Sequence, residues 1–251
     1  MVSETPTAII TDERIVTATD GATVTIARFH AGKFRLGLHV GSGDPPTGHA
    51  TIPADNGDVV SATERPGLLG AFNGGFRTST ATGGFEVAGQ VLRPLTAGLA
   101  SVATDANGTP TVGVWGQGVP TAGSSVVDVR QNLPPLVTGG ATSPSIHAVS
   151  SWGATIGGRA QVARSALGED NTGDLLYAGS SSALPVDLAD ALVAVGATTA
   201  MELDINPEWV QLDLTATPGG PLAAAVPGQS RPANQYLSGW TRDFFTVVAR
   251  P

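Results

Sequence analysis

The chain has 251 residues and a formal net charge of -8, and its 13 Lys and Arg form no run of the kind that binds nucleic acid. No apolar stretch reaches the roughly 18 residues of a membrane-spanning helix, and the absence of cysteine excludes disulfides and thiolate metal ligands. With 33 Gly and 18 Pro but only 14% charged and 5% aromatic residues, the composition favours many short strands and turns over a helical bundle.

The first residues, 1–7, have neither the positive charge nor the apolar segment of a signal peptide. The lack of cysteine fits both a cytosolic protein and a secreted protein without disulfides. Few lysines and many threonine, alanine and glycine residues favour an extracellular or cell-envelope domain that has been separated from its signal or anchor.

Strand-like patterns recur along the chain. Apolar side chains alternate most clearly in residues 34–40, which predicts a half-buried strand. Residues 243–249 are apolar on both faces and predict a final strand in the centre of a sheet. Turn signals such as Asn107-Gly108 separate the other runs, as in hairpins and meanders. Those runs are residues 23–29, 99–104, 111–115, 125–129 and 175–178.

One helix and two long loops complete the predicted elements. Apolar residues at i, i+3, i+4 and i+7 predict a helix that begins near Pro185 and stops at Gly196. Residues 41–57 and 215–235 lack periodicity, and long loops of this kind are usually functional rims or mobile. With no repeat or linker, the sequence predicts a single α+β domain over residues 1–251, a mostly antiparallel, twisted β-sheet with few helices.

Asn73, Gly74 and Gly75 form a motif with two interpretations. Adjacent glycines let a ligand approach the main chain closely, and the Asn amide can both donate to and accept from a sugar hydroxyl or a phosphate oxygen. A tight hairpin turn would explain the same residues and is favoured by the pattern alone.

Two further polar segments are candidates for a site. Arg164 lies between small and apolar residues, where its guanidinium would suit a carboxylate or phosphate ligand, or a structural ion pair with Glu169 or Asp170. The segment of residues 131–140 is polar and conformationally restricted, and an ordinary loop is its favoured interpretation. The four histidines show no metal-ligand spacing, and no phosphate-binding loop is present, so the sequence predicts no metal and no cofactor.

Two acids follow the predicted helix, two positions apart. In the strand that includes Met201 and Leu203, these apolar side chains would face a core while Glu202 and Asp204 share the opposite face. Paired carboxylates at a strand end suit catalysis. Polar residues on the solvated face of a sheet give the same pattern, so both interpretations stay open.

The order of these motifs resembles the phosphodiester glycosidase family over residues 60–250. The residues that carry the resemblance are Asn73, Gly74, Gly75, Arg130, Asn132, Arg164, Leu203 and Asp204. The resemblance implies hydrolysis of a glycosidic bond, that of a sugar-1-phosphodiester in an extracellular or cell-envelope glycan. It also implies that Asp204, with Glu202 or Glu208, supplies acid, base or nucleophile, and that Arg164 steadies the phosphate.

Substrate would be bound by matched positions together with two residues, Asn206 and Trp209, of the segment that departs from the family. These are Asn73, Gly74, Gly75, Arg130, Asn132, Asn206 and Trp209. The family continues from its Asp into glycines and Ser, whereas this chain continues with the stiffer residues 205–209, which leaves the shape of the pocket and the substrate open. Trp209 would either stack on a sugar ring or cover the core.

Two alternatives remain beside phosphodiester cleavage. The chain could cleave a non-phosphorylated envelope polysaccharide, or it could be a non-catalytic glycan-binding module on the same scaffold. Convergence of Asn73, Arg164 and Asp204 with a second acid in one cleft would favour an enzyme, and a flat aromatic surface would favour binding. The sequence gives no indication of an oligomeric state.

Overall fold

The computed structural model describes residues 10–17, 21–79, 83–153 and 158–250. Over these residues the chain forms three β-sheets, two α-helices and three short 3₁₀ turns. The described strands pair antiparallel except for one short parallel pair. The predicted α+β class, mostly antiparallel with few helices, is confirmed, although the strands are divided among three sheets.

The elements are numbered in chain order. The strands are β1 (Ile10–Val16), β2 (Thr23–Phe29), β3 (Phe34–His39), β4 (Leu68–Asn73), β5 (Phe85–Val87), β6 (Gln90–Arg93), β7 (Ala100–Asp105), β8 (Pro110–Trp115), β9 (Gly118–Val119), β10 (Val126–Gln131), β11 (Val137–Thr138), β12 (Ala141–Thr142), β13 (Val162–Asp170), β14 (Leu175–Ala183), β15 (Ala197–Glu202), β16 (Leu212–Leu214), β17 (Ala223–Ala224) and β18 (Phe244–Ala249). The α-helices are α1 (Pro185–Ala194) and α2 (Gln235–Ser238), and the 3₁₀ turns are Ala54–Asn56, Arg65–Gly67 and Val149–Trp152.

The three sheets differ in size. A seven-stranded sheet has the order β1-β2-β14-β13-β15-β11-β12, a six-stranded sheet the order β6-β5-β10-β7-β8-β9, and a five-stranded sheet the order β17-β16-β4-β18-β3. In the last sheet β18 lies between β3 and β4 and pairs with both. The final strand therefore lies inside a sheet, as its two apolar faces predict.

Aromatic side chains join the seven-stranded and five-stranded sheets. The ring of Phe72 lies 6.1 Å from that of Phe29, 5.2 Å from that of Tyr177 and 5.3 Å from that of Phe245. All four residues are at most 1% exposed. Burial of each large side chain contributes on the order of 3 kcal/mol, so this cluster is a main source of cohesion between the sheets.

Helix α1 covers the opposite face of the seven-stranded sheet. Leu188 and Leu192 are fully buried against Leu176 of β14. The helix begins at Pro185, and Gly196 follows its end with φ +95°, so the predicted helix and its stop signal are confirmed. Within the described ranges, no helix combines the length and apolar character needed to cross a membrane.

Period-two alternation correctly predicted which side chains of β3 and β15 face the core. In β3, Phe34, Leu36 and Leu38 are all buried. Met201 in β15 and Leu203 directly after it are both 0% exposed and belong to the core between the sheets, as predicted. Of the two predicted loops, the first contains a 3₁₀ turn and the second contains β17.

Candidate functional site

Six charged side chains are buried where β4, β10, β13, β15 and β18 come together, and each residue is at most 9% exposed. A buried charge without a partner of opposite sign lowers the free energy of unfolding by several kcal/mol, so each of these side chains needs such a partner. The ion pairs are Arg130–Asp243 at 2.7 Å, Arg164–Glu202 at 2.7 Å and Arg242–Asp204 at 2.6 Å.

Asn73, the last residue of β4, is fully engaged by the protein. Its amide nitrogen donates to the Ser165 hydroxyl at 2.9 Å, and its amide oxygen accepts from the Tyr177 hydroxyl at 3.0 Å and from the Gln211 backbone at 3.2 Å. It is 4% exposed. These contacts link the end of β4 to β13, to β14 and to the residue before β16, and they use both ends of the amide that was predicted to hold a ligand.

Gly74 and Gly75 are required by close packing. The hairpin interpretation is wrong, because β4 pairs with β16 and β18 and does not turn back at these glycines. A Cβ at Gly74 would overlap the Asp243 carboxylate, and one at Gly75 would lie 2.8 Å from the guanidinium carbon of Arg130. Asp243 Oδ2 accepts from Arg130 Nε at 2.7 Å and from the Gly75 backbone at 3.1 Å. A buried ion pair thus occupies the space that two side chains would fill.

The carboxylate of Asp204 accepts hydrogen bonds from three donors. Its Oδ1 accepts from the backbone N–H of Ile205 at 2.7 Å and of Asn206 at 2.9 Å, and its Oδ2 accepts from Arg242 Nη1 at 2.6 Å. Arg242 Nη2 donates to the Gly75 carbonyl at 3.0 Å. Burial raises the pKa of Asp204 above its ordinary value, while Arg242 opposes that rise.

Arg164 and Glu202 form a second pair on the side of the sheet that faces away from the aromatic core. Arg164 Nη1 donates to Glu202 Oε1 at 2.7 Å and to the Trp152 carbonyl at 3.0 Å, and Nε donates to the Ala183 carbonyl at 3.1 Å. Glu202 Oε2 is buried, and within the part of the chain that the structure describes it has no hydrogen-bond partner. Burial raises the pKa of Glu202 to about 7 even though Arg164 lowers it.

The ion pair predicted between Arg164 and Glu169 or Asp170 does not form. Glu169 instead accepts from the Val112 backbone, and Asp170 pairs with Arg28. Glu169 and Asp170 lie five and six positions beyond Arg164 on the same strand, and at about 3.3 Å per residue they are too far along β13 to reach its guanidinium. The solvated-face interpretation of Glu202 is likewise wrong, since that residue is 0% exposed.

Two more predicted binding residues, Asn132 and Asn206, and the predicted catalytic residue Glu208 also make contacts within the protein. Asn132 is 0% exposed and its amide donates to the Leu203 carbonyl at 2.8 Å, so it supports the backbone just before Asp204. Glu208 is exposed and its carboxylate lies 3.1 Å from Arg231, at the surface. The Asn206 side chain accepts from the Glu208 backbone at 3.0 Å, which caps this turn.

Of the three residues predicted to converge, Asn73 and Asp204 are joined through one hydroxyl, and Arg164 is directed elsewhere. Ser165 links Asn73 to Asp204, because its hydroxyl accepts from Asn73 at 2.9 Å and from the Asp204 backbone at 3.2 Å. Arg164 directs its guanidinium to Glu202 instead. The roles of these residues in substrate binding or catalysis therefore stay predictions.

A surface groove of about 510 Å³ has Arg242 of the Arg242–Asp204 pair in its wall. Its lining residues come from the first predicted loop, the segment after β4, the segment between β15 and β16, and the segment before β18. They are Ser42, Gly43, Asp44, Pro46, Arg77, Thr78, Ser79, Trp209, Trp240, Thr241 and Arg242. We call this cavity the Trp240 groove, after its exposed tryptophan, which is 83% exposed.

Asp44 and Arg242 face each other in the Trp240 groove. Asp44 Oδ1 accepts from the Thr78 backbone at 3.1 Å and also from the Thr78 hydroxyl. Asp44 Oδ2 lies 3.6 Å from Arg242 Nε, a buried atom for which no hydrogen-bond partner is found among the described residues. Arg242 thus has a carboxylate on each side, Asp204 beneath it and Asp44 beside it.

The sequence offered only weak signals for these groove residues. Asp44 lies in a stretch predicted as a loop, and nothing marks it among other loop acids. Arg242 and Asp243 precede the final strand directly, so a charged pair next to a fully apolar strand was the available signal. Within the ranges that the structure describes, no group of three or more His or acidic side chains is placed to hold a metal ion.

Comparisons with solved structures show a distant likeness of fold. The catalytic domain of zebrafish N-acetylglucosamine-1-phosphodiester alpha-N-acetylglucosaminidase, auto-inhibited by its pro-peptide, superposes with a TM-score of 0.61 at 16% identity, over 99% of this chain and 86% of that one. A hypothetical protein from Synechocystis gives 0.61 at 14% identity, over 96% of this chain and 62% of that one.

A third structure, a protein from Burkholderia pseudomallei K96243 described as exported, gives a TM-score of 0.53 at 12% identity, over 90% of this chain and 74% of that one. No protein-family model and no curated protein sequence matches the chain. At these identities the likeness establishes the fold, which the chain shares with a glycosidase catalytic domain.

Proposed function

We propose that this protein is a glycoside hydrolase that acts on an extracellular or cell-envelope glycan in the Trp240 groove. The observation that carries the proposal is the placement of two carboxylates, Asp44 and Asp204, around the guanidinium of Arg242 at the floor of a groove with two tryptophans. The fold shared with the zebrafish enzyme domain supports the same reaction class. The likeness to a protein described as exported supports the location.

Hydrolysis of a glycosidic bond needs one group that gives a proton and one that takes a proton. The acid protonates the leaving oxygen as its bond to the anomeric carbon breaks, and a water oxygen bonds to that carbon and loses its proton to the base. Asp204 suits the acid, because burial raises its pKa. Asp44, which reaches the groove, suits the base, and Arg242 orders both carboxylates.

The substrate class in this proposal is a sugar glycoside, with a sugar-1-phosphodiester as the first candidate and a non-phosphorylated polysaccharide as the second. Arg164, which was predicted to bind the phosphate, is fully buried and donates its hydrogen bonds to groups of the protein. Any phosphate would therefore meet Arg242 or Arg77, the arginines of the groove.

The test is a hydrolysis screen with matched variants. Nitrophenyl α- and β-glycosides, UDP-N-acetylglucosamine and purified envelope polysaccharides serve as substrates, and NMR of the first product gives its anomeric configuration. We expect Asp44→Asn and Asp204→Asn to fold and to lose at least about 100-fold in turnover. Asp190→Asn, an exposed acid on α1, is the control and should keep its activity. Wild-type turnover in both groove variants would refute the proposal.

A non-catalytic glycan-binding module is the second candidate, and one observation favours it. Both carboxylate oxygens of Asp204 already accept hydrogen bonds from the protein, and the side chain is 4% exposed. In this candidate the Asp204 carboxylate fixes Arg242 and takes no part in catalysis. Glycan binding without any hydrolysis in the screen would support this candidate over the enzyme.

A further inference from the structure

Strand β1 forms an open edge of the seven-stranded sheet. All seven of its residues pair with β2 without a bulge, and no described strand lies on its other side. Just after β1, the Thr17 backbone donates to the Ala22 carbonyl at 2.9 Å and accepts from the Gly21 backbone at 3.1 Å, so both of its groups face β2. Because the direction of these groups alternates along a strand, those of the even-numbered residues face the open edge. These residues are Ile10, Asp12, Arg14 and Val16.

The side chains of these four residues are available to a partner. Asp12 and Arg14 are exposed, and among the described residues neither side chain has a hydrogen bond or an ion pair. Val16 is 68% exposed, although its side chain is large and apolar. Ile10, Asp12 and Arg14 also line a surface groove of about 480 Å³ beside β17, so they share one face of the strand. The edge therefore combines free backbone groups, two opposite charges and an exposed apolar residue.

A second copy of β1 matches this edge in one register. In an antiparallel pair, residues whose backbone groups face the partner lie opposite each other, so the even-numbered residues of the two copies are paired. When Asp12 of one copy lies opposite Arg14 of the other, two-fold symmetry forms the same ion pair twice. Ile10 then lies opposite Val16 and covers its side chain. A shift by two residues in either direction would instead place Asp12 opposite Asp12 or Arg14 opposite Arg14.

We propose that this protein forms a symmetric dimer in which β1 pairs antiparallel with β1 of a second copy, with Asp12 opposite Arg14. The two seven-stranded sheets become one continuous sheet through about eight backbone hydrogen bonds. Charges on an edge strand often prevent such pairing, but the two opposite charges of this edge attract each other in the one register that pairs all four residues. Glu13, on the opposite face of β1, meets its own copy at the two-fold axis, and this repulsion weakens the dimer. The Trp240 groove contains no residue of β1, so the dimer is independent of the proposed function.

Sedimentation velocity of the whole chain tests the dimer. Protein concentrations from about 1 µM to about 1 mM are needed, because a single strand pair is a small interface. We expect the wild type to dimerise reversibly, and Asp12→Arg and Arg14→Asp each to weaken the dimer at least about tenfold, because each variant creates two pairs of like charge. An equimolar mixture of the two variants should recover the wild-type affinity within about threefold, because their charges are then complementary. The control is Arg35→Asp, the same charge reversal at an exposed position of β3, and it should dimerise as the wild type does.

A single cysteine tests the register, because the chain contains none. In the proposed register Glu13 lies opposite itself in a pair without backbone hydrogen bonds, where side chains are close. Glu13→Cys should therefore give a disulfide-linked dimer with oxidised glutathione, whereas Thr11→Cys, on the same face of β1, should stay largely unlinked. Glu13→Gln should tighten the dimer, because it removes the repulsion at the two-fold axis.

Four outcomes would overturn the proposed dimer. They are a wild type that stays monomeric up to about 1 mM, an unchanged affinity in Asp12→Arg, a mixture of the two charge variants that does not associate, and linkage of Thr11→Cys as efficient as that of Glu13→Cys.

Discussion

Replacing Glu202 by Gln should stabilise the protein at alkaline pH. Burial raises the pKa of Glu202 to about 7 from an ordinary 4.5, despite its contact with Arg164. Below pH 4.5 the Glu202 carboxyl is protonated in both the folded and the unfolded chain, so its ionisation does not change the free energy of unfolding. Above pH 7 it is charged in both, and the folded state carries the desolvation cost, about 3 kcal/mol at 1.4 kcal/mol per pKa unit.

Stability should therefore be lost as the pH rises from 4.5 to 7, and Glu202→Gln should remove this loss. Its amide oxygen can still accept from Arg164 Nη1, and its nitrogen replaces Oε2, which has no partner. Urea unfolding followed by tryptophan fluorescence should give equal free energies of unfolding at pH 4.5 and an advantage of up to about 3 kcal/mol for the variant at pH 8.

The control is Asp190→Asn, which removes an exposed carboxylate and should follow the wild-type pH profile. A Glu202→Gln variant less stable than the wild type at pH 8 would refute the reasoning. That result would mean that the charged Arg164–Glu202 pair stabilises the fold. Removal of one partner from such a buried pair leaves the other charge uncompensated and lowers the free energy of unfolding.

Three further predictions concern stability. Gly74→Ala should destabilise the protein by about 3 kcal/mol or more in urea unfolding, because its Cβ would overlap the Asp243 carboxylate. Arg28→Ala should cost about 2 kcal/mol, because it removes the Asp170 pair and a 2.6 Å hydrogen bond to a carbonyl at the end of α1. The advantage of wild type over Glu64→Gln should shrink by about 3 kcal/mol from pH 4.5 to pH 2, because hydrogen bonds from His39, Thr246 and Ser61 outweigh burial and lower the pKa of Glu64 to about 2.

Matched variants test whether the same type of substitution destabilises the protein at positions without these contacts. Gly43→Ala adds a Cβ that meets no atom within 4 Å and should change the free energy of unfolding by less than about 0.5 kcal/mol. Arg35→Ala, at an exposed position, should be similarly mild. A Gly74→Ala protein as stable as Gly43→Ala, an Arg28→Ala protein as stable as Arg35→Ala, or a constant difference for Glu64→Gln would contradict the respective prediction.

The sequence was most informative where a single physical rule decides the structure. Alternation alone placed Phe34, Leu36 and Leu38 in the core, and the helix pattern with Pro185 and Gly196 located α1. Strand β13 escaped prediction because both of its faces are buried, one of them around a charged side chain. Its sequence therefore shows neither clean alternation nor an apolar run.

The candidate site was harder to predict because its contacts are long-range. Asp204 was identified from its place after a strand, but its partner Arg242 is 38 residues away along the chain. The predicted partner of Arg164 was a sequence neighbour, whereas the real partner, Glu202, lies on the adjacent strand β15. Burial of charges is decided by how strands pair, and a local pattern of residue types does not contain that information.

The dipeptide Arg242-Asp243 connects the groove to the stability of the whole fold. It directly precedes β18 in the five-stranded sheet, and Asp243 pairs with Arg130 of the six-stranded sheet while Arg242 pairs with Asp204 beside the seven-stranded sheet. The groove floor is therefore the junction of all three sheets. A ligand of the Trp240 groove would bind only the folded junction, so binding should raise the unfolding temperature through mass action. The ion pairs of Arg242 and Asp243 also hold the groove floor in place before a ligand arrives, which lowers the entropic cost of recognition.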